Sequence, residues 1–437
     1  MAFLALIVSL IIGAGYFMTE YAAPRGTRDI LPDETPKWEY VEAKFRETCS
    51  LFGYKEIRTP TFEHTELFTR NLGETTDVVS KEMYTFETRG GKSLTLRPEG
   101  TAPVIRAYVQ HNLGANLPIN KMYYIGRIFR YERPQAGRYR EHTQLAVEAA
   151  GSQDPAIDAE VISLAVQFYK SLGLNDFELK INSIGCPECR PIYRQALVDF
   201  ASGKLEKLCP SCVQRYEQNP MRMLDCKIPE CKEILAKAPK MQDYLGEECS
   251  VHFEKVQTYL NELDIDYKID PNLVRGFDYY TKTAFEFVSG KLGAQNAIGG
   301  GGRYDNLIEE IGGQSTPSLG FGLGLDRLML TIDAMGIELP VNKSITAFIA
   351  VMGDVAREAA VKLVSNLRCE GVSADMDYTG RSLKAQMKMV DKLGARYAVI
   401  LGENEVNDRI ATVKDMQTSE QKSVPFDELA KVLKSEG

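Results

Sequence analysis

Two short runs carry the side chains that are best suited to chemistry in this chain of 437 residues. Residues 272 to 281 read Asn-Leu-Val-Arg-Gly-Phe-Asp-Tyr-Tyr-Thr and place Arg275 beside a glycine, an acid and the paired Tyr279 and Tyr280. Residues 297 to 307 read Ala-Ile-Gly-Gly-Gly-Gly-Arg-Tyr-Asp-Asn-Leu. Consecutive glycines let a backbone approach a ligand without obstruction by Cβ. Each run alone also fits a Gly-rich loop or a surface strand, but the two together indicate a ligand site.

A basic hairpin is the second candidate for a ligand-facing surface. Six cations fall within twenty residues against the single acid Glu132, and they are Lys121, Arg127, Arg130, Arg133, Arg138 and Arg140. Aromatic residues lie between them. On the second strand, alternation with a period of two puts one polar set on one face, namely Arg138, Arg140, His142, Gln144 and Glu148. That face is either solvated or the floor of a ligand site.

Length and composition describe an ordinary globular protein of two or three domains. Hydrophobic residues make up 44% of the chain and charged residues 26%. The formal net charge is -8, which excludes a globally basic nucleic-acid binder. Any contact with RNA must therefore come from a local basic patch such as the hairpin.

The cysteines allow two interpretations. Four of the nine form CxxC pairs, Cys186 with Cys189 and Cys209 with Cys212, and nineteen residues separate the pairs. This spacing lies in the range of structural zinc sites. A helix-like stretch from residue 190 to 200 would, however, hold the pairs apart. The alternative is a set of reduced core thiols, and Cys226 and Cys231 are either further ligands or such thiols.

Periodicity outlines the elements that must position these residues. Val41, Phe45 and Cys49 recur at helical spacing after an N-cap at Thr35, and a strand ends before Pro60. Residues 180 to 260 have many helix formers and resemble an inserted helical domain. Residues 316 to 335 read as a strand that runs into a helix. From about residue 346, strands and helices alternate, which indicates a small α/β domain.

Five segments of the chain resemble the signature peptides of histidyl-tRNA synthetases and the motifs of class II aminoacyl-tRNA synthetases. The runs at 272–281 and 297–307 are similar to the two signature peptides. The helix-strand-proline unit resembles motif 1, residues 129–133 (Phe-Arg-Tyr-Glu-Arg) motif 2, and residues 320–328 (Gly-Phe-Gly-Leu-Gly-Leu-Asp-Arg-Leu) motif 3. The resemblance extends from about Pro24 to the C-terminus. It implies an α+β fold: a class II antiparallel sheet with flanking helices, a helical insertion and a C-terminal α/β anticodon-binding domain.

This resemblance implies a catalytic domain at 18–345, with its insertion at about 180–260, and an anticodon-binding domain at 346–437. The implied activity is ATP-dependent ligation of L-histidine to tRNA(His) through a histidyl-adenylate, with Mg²⁺ bridging the ATP phosphates. It also implies a cytoplasmic homodimer, without membrane attachment. The chemistry of the family does not require zinc, and no metal ligand is implied among the site residues.

Roles of individual residues are carried over from the matching motif positions. Arg275 and Arg130 are implied to be catalytic. Histidine binding is implied for Glu99, Thr101, Gln144, Glu148, Tyr279 and Tyr280. ATP binding is implied for Arg130, Glu132, Arg138, Arg140, His142 and Arg327. Glu99 after Pro98 also fits a simple acid at a helix N-terminus.

Two positions depart from the pattern of the family. His142-Thr143 replaces the usual Phe-His, so a histidine with a pH-dependent charge stands where a phenylalanine stacks on adenine. Asp326 replaces the more usual glutamate of motif 3. The first change puts the strength of ATP binding in doubt.

Two rival functions remain at this point. One is the synthetase-like regulatory subunit of ATP phosphoribosyltransferase, which is a binding module without ligase activity. That paralogue typically lacks the arginine signature and the anticodon domain, whereas this chain has Arg275 and about ninety residues after the catalytic part. The other is a different class II synthetase, which the two histidine-specific runs disfavour.

The N-terminal segment needs its own explanation. Residues 2 to 17 carry no charge, fall short of the ~20 residues that span a bilayer, and lack the basic n-region of a secretory signal. The sequence from Met18 resembles an ordinary start of a synthetase. We therefore expect translation to begin at Met18 and residues 1–17 to be a gene-model extension. The competing interpretation is a membrane tether on a cytoplasmic enzyme.

Overall fold

The computed structural model describes residues 21–73, 76, 78–290, 296–341 and 345–435. The chain forms two compact units with a boundary between Leu339 and Pro340. No helix in the described ranges is long and apolar enough to cross a membrane. Residues 1–17 lie outside these ranges, so the start at Met18 stays a prediction.

An eight-stranded sheet organises the first unit. Its order is β1 (Lys55–Glu56), β5 (Asn120–Phe129), β6 (Glu141–Ala150), β11 (Ser318–Gly324), β10 (Ala297–Arg303), β9 (Thr281–Val288), β7 (Glu178–Ser183) and β8 (Lys268–Ile269). The five central pairings are antiparallel, and only the edge pairs β1–β5 and β7–β8 are parallel. This arrangement confirms the expected antiparallel sheet. A smaller sheet contains β2 (Phe62–His64), β4 (Ser93–Leu96) and β3 (Tyr84–Glu87).

Helices flank the large sheet and fill the insertion. They are Thr35–Leu51, Thr65–Leu72, Thr101–Gln110, Pro155–Ser171, Cys189–Ser202, Pro210–Gln218, Pro229–Leu235, Glu247–Glu262, Leu307–Glu310 and Leu325–Ala334. Short 3-10 turns connect several of them. The expected N-cap at Thr35 is wrong in detail, because the helix already includes Thr35, whose hydroxyl donates to the carbonyl of Leu31 at 3.0 Å.

The second unit is the α/β domain that the alternating pattern predicted. Its sheet has the order β13 (Ala374–Met376), β12 (Ala347–Val351), β14 (Tyr397–Leu401), β15 (Ile410–Asp415) and β16 (Gln421–Pro425). Strand β12 pairs in parallel with β13 and β14, whereas β15 pairs antiparallel with β14 and β16. Its helices are Asp354–Cys369, Leu383–Leu393, Glu403–Asp408 and Leu429–Ser435.

A buried ion pair joins helix Pro155–Ser171 to the end of β10. Arg303 and Asp158 are both fully buried, and Nη2 of Arg303 lies 2.7 Å from Oδ2 of Asp158. Arg303 also donates to the carbonyls of Ser152 and Asp154, while His252 lies 3.3 Å from Asp158. Burial alone would raise the pKa of Asp158, but the charge of Arg303 brings it below the ordinary value. The pair therefore stays ionised, with most of its hydrogen-bonding capacity used.

This ion pair should contribute strongly to the stability of the first unit. Asp158→Ala removes the fully buried carboxylate that faces Arg303 and leaves the less deeply buried Asp305 to balance its charge, so we expect a loss of about 3–5 kcal/mol in the free energy of unfolding. Urea unfolding followed by the fluorescence of Trp38, the only tryptophan and buried in the same unit, measures it. The control is Glu66→Ala, whose ion pair with Arg70 is exposed. Its loss should stay within about 0.5 kcal/mol, and similar losses for both variants would contradict the assignment.

Candidate active site

A cavity of about 550 Å³ opens above the four central strands of the large sheet. It brings together ten of the residues predicted from the sequence, which are Glu99, Thr101, Arg130, Glu132, Arg138, Gln144, Glu148, Arg275, Tyr279 and Tyr280. The other three, Arg140, His142 and Arg327, are not among the described residues that line it. The cavity walls are therefore rich in paired charges and aromatic rings.

Glycines on β10 and β11 make room for the functional side chains. The two strands pair in a register that sets Gly300 opposite Gly322 and Gly302 opposite Gly320. A Cβ on Gly300 would lie 2.6 Å from Nη1 of Arg275, and a Cβ on Gly320 would collide with the carboxylate of Glu148. The glycines thus leave the space that the side chains of Arg275 and Glu148 occupy, in addition to any space for a ligand.

Glu148 is a buried carboxyl group held by two hydroxyls. Oε1 accepts from the hydroxyl of Thr101 at 2.8 Å, and Oε2 accepts from the hydroxyl of Tyr304. Burial raises the pKa of Glu148 to about 8, although both hydrogen bonds act against this rise. A carboxyl group in this state is protonated at neutral pH and can give up its proton when a ligand supplies compensation.

Tyr304 is a site residue that the sequence interpretation missed. It lies in the second glycine run, directly after Arg303, and is buried at the edge of the cavity. Its position in the run Gly-Gly-Arg-Tyr-Asp was the only available signal. Its partner Glu148 is 156 positions away in the sequence, so spacing could not reveal the contact.

Glu99 lies at a helix N-terminus and also faces the cavity. Its two carboxylate oxygens accept from the backbone N–H groups of Thr101 and Ala102, at 2.7 and 2.8 Å, at the start of helix Thr101–Gln110. It also lines the cavity. Burial raises the pKa of Glu99, and the two backbone hydrogen bonds limit the rise.

Arg275 projects into the cavity between an aromatic ring and a carboxylate. Its Cζ lies 5.3 Å from the centroid of the Tyr280 ring, and Nη1 lies 3.5 Å from Oε1 of Glu286. The rings of Tyr279 and Tyr280 are 4.7 Å apart. Nε of Arg275 and Oε1 of Gln144 are buried without a hydrogen-bond partner among the described residues. Buried polar atoms in this state are suited to a polar ligand.

Residues of the basic hairpin form an ionic cluster at the cavity wall. Glu132 lies between Arg130 and Arg138, with N–O distances of 3.8 and 3.2 Å. Nε of Arg130 donates to the carbonyl of Pro98 at 2.7 Å, and its guanidinium lies 5.7 Å from the ring of Phe277. The predicted single polar face was partly wrong, because β6 begins at Glu141, and Arg138 and Arg140 both precede it.

Arg140 and Arg327 each donate a hydrogen bond to a backbone carbonyl. Arg140 donates to the carbonyl of Glu132 at 3.2 Å and lies 3.7 Å from the ring centroid of Tyr131. Arg327 donates to the carbonyl of Ala297 at 3.0 Å. Both arginines thus hold neighbouring backbone.

His142 differs from its expected behaviour. Burial and the charge of Arg130 lower the pKa of His142 to about 3. Its ring is therefore neutral throughout the physiological range, and the expected pH-dependent charge is wrong. The two departures from the motif pattern also meet, because the backbone N–H of Thr143 donates to Oδ2 of Asp326 at 3.1 Å.

The insertion supplies part of the cavity wall, which was also not predicted. Arg215 lines the cavity from helix Pro210–Gln218, and Arg222 and Lys227 line it from the segment between this helix and helix Pro229–Leu235. Arg215 donates to the carbonyl of Arg222 at 3.1 Å, and Arg222 donates to that of Gly276 at 3.3 Å. The insertion therefore adds cations beside the signature run.

The cysteines do not form the single four-cysteine site that the spacing suggested. The CxxC pairs belong to two separate groups, since helix Cys189–Ser202 lies between them. Cys209 and Cys212 associate with Cys226 and Cys231, whereas Cys186 and Cys189 associate with Cys249. All nine cysteines are free thiols.

Comparisons with known proteins agree along almost the whole chain. The family model described as "Histidyl-tRNA synthetase" matches residues 26–328, and the "Anticodon binding domain" model matches residues 346–436. A histidine–tRNA ligase from Desulforamulus reducens is 53% identical over 94% of this chain and 98% of its own length. One from Halothermothrix orenii is 54% identical over 91% of this chain and 95% of its own.

Solved structures give the same picture. Apo histidyl-tRNA synthetase from S. aureus superposes with a TM-score of 0.81 at 41% identity, covering 95% of this chain and 100% of that one. A Bacillus halodurans structure, called an ATP phosphoribosyltransferase regulatory subunit/histidyl-tRNA synthetase, has a TM-score of 0.63 at 22% identity, with 88% and 99% coverage. The second likeness shows the fold alone.

The raised pKa of Glu148 predicts a pH-dependent difference in stability. The folded protein keeps a proton on Glu148 that the unfolded chain loses above its ordinary pKa of 4.5, so stability falls as the pH rises from 4.5 to about 8. Glu148→Gln lacks this titration. Its stability relative to the wild type should therefore increase with pH in this window, by at most about 1.4 kcal/mol per unit.

Urea unfolding monitored by Trp38 at about pH 5.5 and about pH 7.5 measures this difference. A variant whose stability relative to the wild type is the same at both values would show that Glu148 titrates normally.

Proposed function

The chain belongs to the histidyl-tRNA synthetase family, and from this membership we propose that it ligates L-histidine to tRNA(His) in an ATP-dependent reaction through a histidyl-adenylate. One observation of the site carries the proposal: a buried carboxyl group suited to an imidazole and an arginine suited to a phosphate line the same cavity. The regulatory-subunit alternative is disfavoured by Arg275 and by the anticodon-binding match at residues 346–436.

Selection of histidine rests on the buried carboxyl group of Glu148. An imidazole N–H donates to it, and the ring packs against Tyr279 and Tyr280. A site built to hydrogen-bond its substrate rejects analogues that leave its buried polar groups unpaired. Thr101 acts by holding Glu148, while Glu99 and Gln144 bind the amino and carboxylate end of the amino acid.

Activation brings the carboxylate of histidine to the α-phosphate of ATP. Negative charge builds up in the transition state, so catalysis consists mainly of positioning and of stabilisation by cations. Arg275 and Arg130 neutralise this charge at the α-phosphate. Because guanidinium groups stay protonated and bind phosphate in a bidentate manner, arginine suits both positions better than lysine.

The remaining motif residues bind the rest of ATP. Arg138 and Arg327 bind phosphate oxygens, with Arg327 at the γ-phosphate, and Arg140 supports the nucleotide site through Glu132. The neutral ring of His142 stacks on adenine, and because it carries no charge, stacking does not depend on pH. A neutral imidazole is a smaller stacking surface than phenylalanine, so ATP binding has less support from this position.

Magnesium fits the acidic side chains of the cavity. Glu132 and Glu286 line it and offer carboxylate oxygens, the ligands that this hard cation takes. When bound, Mg²⁺ would neutralise phosphate charge and orient the nucleotide. The two residues also hold Arg138 and Arg275 by ion pairs.

The second unit binds the anticodon end of the tRNA, and the enzyme acts as a homodimer in the cytoplasm. The match of residues 346–436 to the anticodon-binding model supports the first assignment. The motif-1 unit, helix Thr35–Leu51 followed by β1, supports the dimer. The exposed Leu51 at its end is an apolar side chain that a partner would cover.

A variant of Arg275 tests the proposed activation of histidine. Histidine-dependent ATP–pyrophosphate exchange should occur with the wild type, and Arg275→Ala should lower kcat roughly a hundredfold or more, because one transition-state cation is lost. The KM for histidine should change much less. Arg89→Ala, an exposed site on a hairpin, is the control. Exchange within a factor of about three of the wild type would remove Arg275 from the catalytic role.

Glu148 tests the choice of amino acid. Glu148→Gln keeps the size of the side chain but loses the charged acceptor, so the KM for histidine should rise about tenfold or more while the KM for ATP stays nearly constant. Steady-state exchange with each substrate varied measures both constants, and Glu87→Gln on an exposed strand is the control. Equal rises in both constants would indicate a distorted strand and argue against a role in recognition.

A further inference from the structure

One of the two cysteine groups in the insertion has the size of a tetrahedral metal site. The sulfur atoms of Cys209, Cys212, Cys226 and Cys231 all lie within 4.8 Å of one another, and those of Cys209 and Cys226 are 3.9 Å apart. A tetrahedron with Zn–S bonds of about 2.3 Å has edges of about 3.8 Å. A disulfide would need about 2.05 Å, and all four cysteines are free, so these thiols are not paired with one another.

Backbone N–H groups point at two of these sulfur atoms. The N–H of Cys212 donates to Sγ of Cys209 at 3.4 Å, and the N–H of Cys209 donates to Sγ of Cys231 at 3.2 Å. Such donors stabilise a thiolate and orient it toward a metal. Cys209 is the N-cap of helix Pro210–Gln218 and Cys212 lies in its first turn, so two ligands are fixed by the start of one helix.

The insertion has a small core for its length. Its helices that follow Cys186 run from seven to sixteen residues, and cysteines form a large part of its buried cluster, namely Cys189, Cys212, Cys226, Cys231 and Cys249. Small modules of this kind commonly need a metal or disulfides in addition to apolar packing. Disulfides do not persist in a reducing compartment, so a bound metal is the way to stabilise such a module there.

We propose that Cys209, Cys212, Cys226 and Cys231 bind one zinc ion as four thiolates, and that this ion fixes the part of the insertion that lines the active-site cavity. Four sulfur ligands fill the tetrahedral coordination of zinc, so the site is structural and has no open position for a substrate. The group of Cys186, Cys189 and Cys249 offers three thiols, and the described residues add no fourth cysteine to it.

The position of this site gives it a functional consequence, which rests on the proposed function. Cys209 and Cys226 themselves line the cavity, and Arg215 and Arg222 lie on the chain between them. Arg222 holds the carbonyl of Gly276, the neighbour of Arg275. Loss of the ion should therefore loosen the cation-bearing wall beside the signature run and weaken the use of ATP.

Elemental analysis of the full-length protein, purified without chelators, tests the metal. The wild type should hold about one more zinc per chain than Cys226→Ser. The control, Cys369→Ser, changes an exposed cysteine of the second unit and should keep the metal content of the wild type. Equal zinc in all three proteins, iron instead of zinc, or a disulfide among the four cysteines would overturn the proposal.

If the Cys226→Ser protein does not fold, a second measurement on the wild type tests the same site. A mercurial reagent added to the native wild type should release about one zinc per chain as the four thiols react, detected with a colorimetric zinc indicator. Release of no metal would overturn the proposal.

Folded Cys226→Ser should also show a raised KM for ATP, and an unchanged KM would refute the effect on the cavity. Wild-type protein that holds zinc but lacks histidine-dependent exchange would refute the proposed function and leave the zinc site standing.

Discussion

The burial of one carboxyl group, Glu148, is the constraint on which the arrangement of the site depends. A carboxyl group in a dry environment is costly unless hydrogen bonds compensate, and here the compensation comes from two distant parts of the chain. Thr101 begins a helix, and Tyr304 follows β10. Strand β6, the helix and β10 must therefore meet at this point, and Gly320 is required opposite Glu148 because any side chain would collide with it.

The buried ion pair extends this constraint into the core. Arg303 precedes Tyr304, and its guanidinium is fixed by Asp158 and by backbone carbonyls of the segment that starts helix Pro155–Ser171. The end of β10 consequently has little freedom to move. A rigid anchor of this kind suits a recognition site, because hydrogen bonds to a substrate discriminate only when their protein partners are already in place. Earlier in β10, Gly300 leaves the space that Arg275 occupies.

Local patterns in the sequence predicted the parts of the site that depend on neighbours along the chain. Period-two alternation correctly put Gln144 and Glu148 on one face of β6. The helix-former pattern predicted the helical insertion, and the alternation of strands and helices predicted the α/β unit. Motif resemblance supplied ten of the residues that line the cavity. Contacts between distant segments were beyond either source: Tyr304 with Glu148, Asp158 with Arg303, and the regrouping of the CxxC pairs with Cys226, Cys231 and Cys249. The neutral state of His142 also depends on burial, which no spacing reveals.

Calorimetric binding of histidine in buffers of different ionisation enthalpy tests the central claim most directly, because it counts the protons released on binding. At about pH 5.5 the free imidazole is largely protonated, and with a pKa of about 8 so is Glu148. In the free state the two groups carry about two protons, whereas the bound pair of Glu148 and imidazole holds one. Close to one proton should therefore be released for each histidine that binds. At about pH 7.2 the imidazole is mostly neutral, and the release should fall toward zero. No release at the lower pH would mean that Glu148 is already ionised in the free site, which would contradict the account.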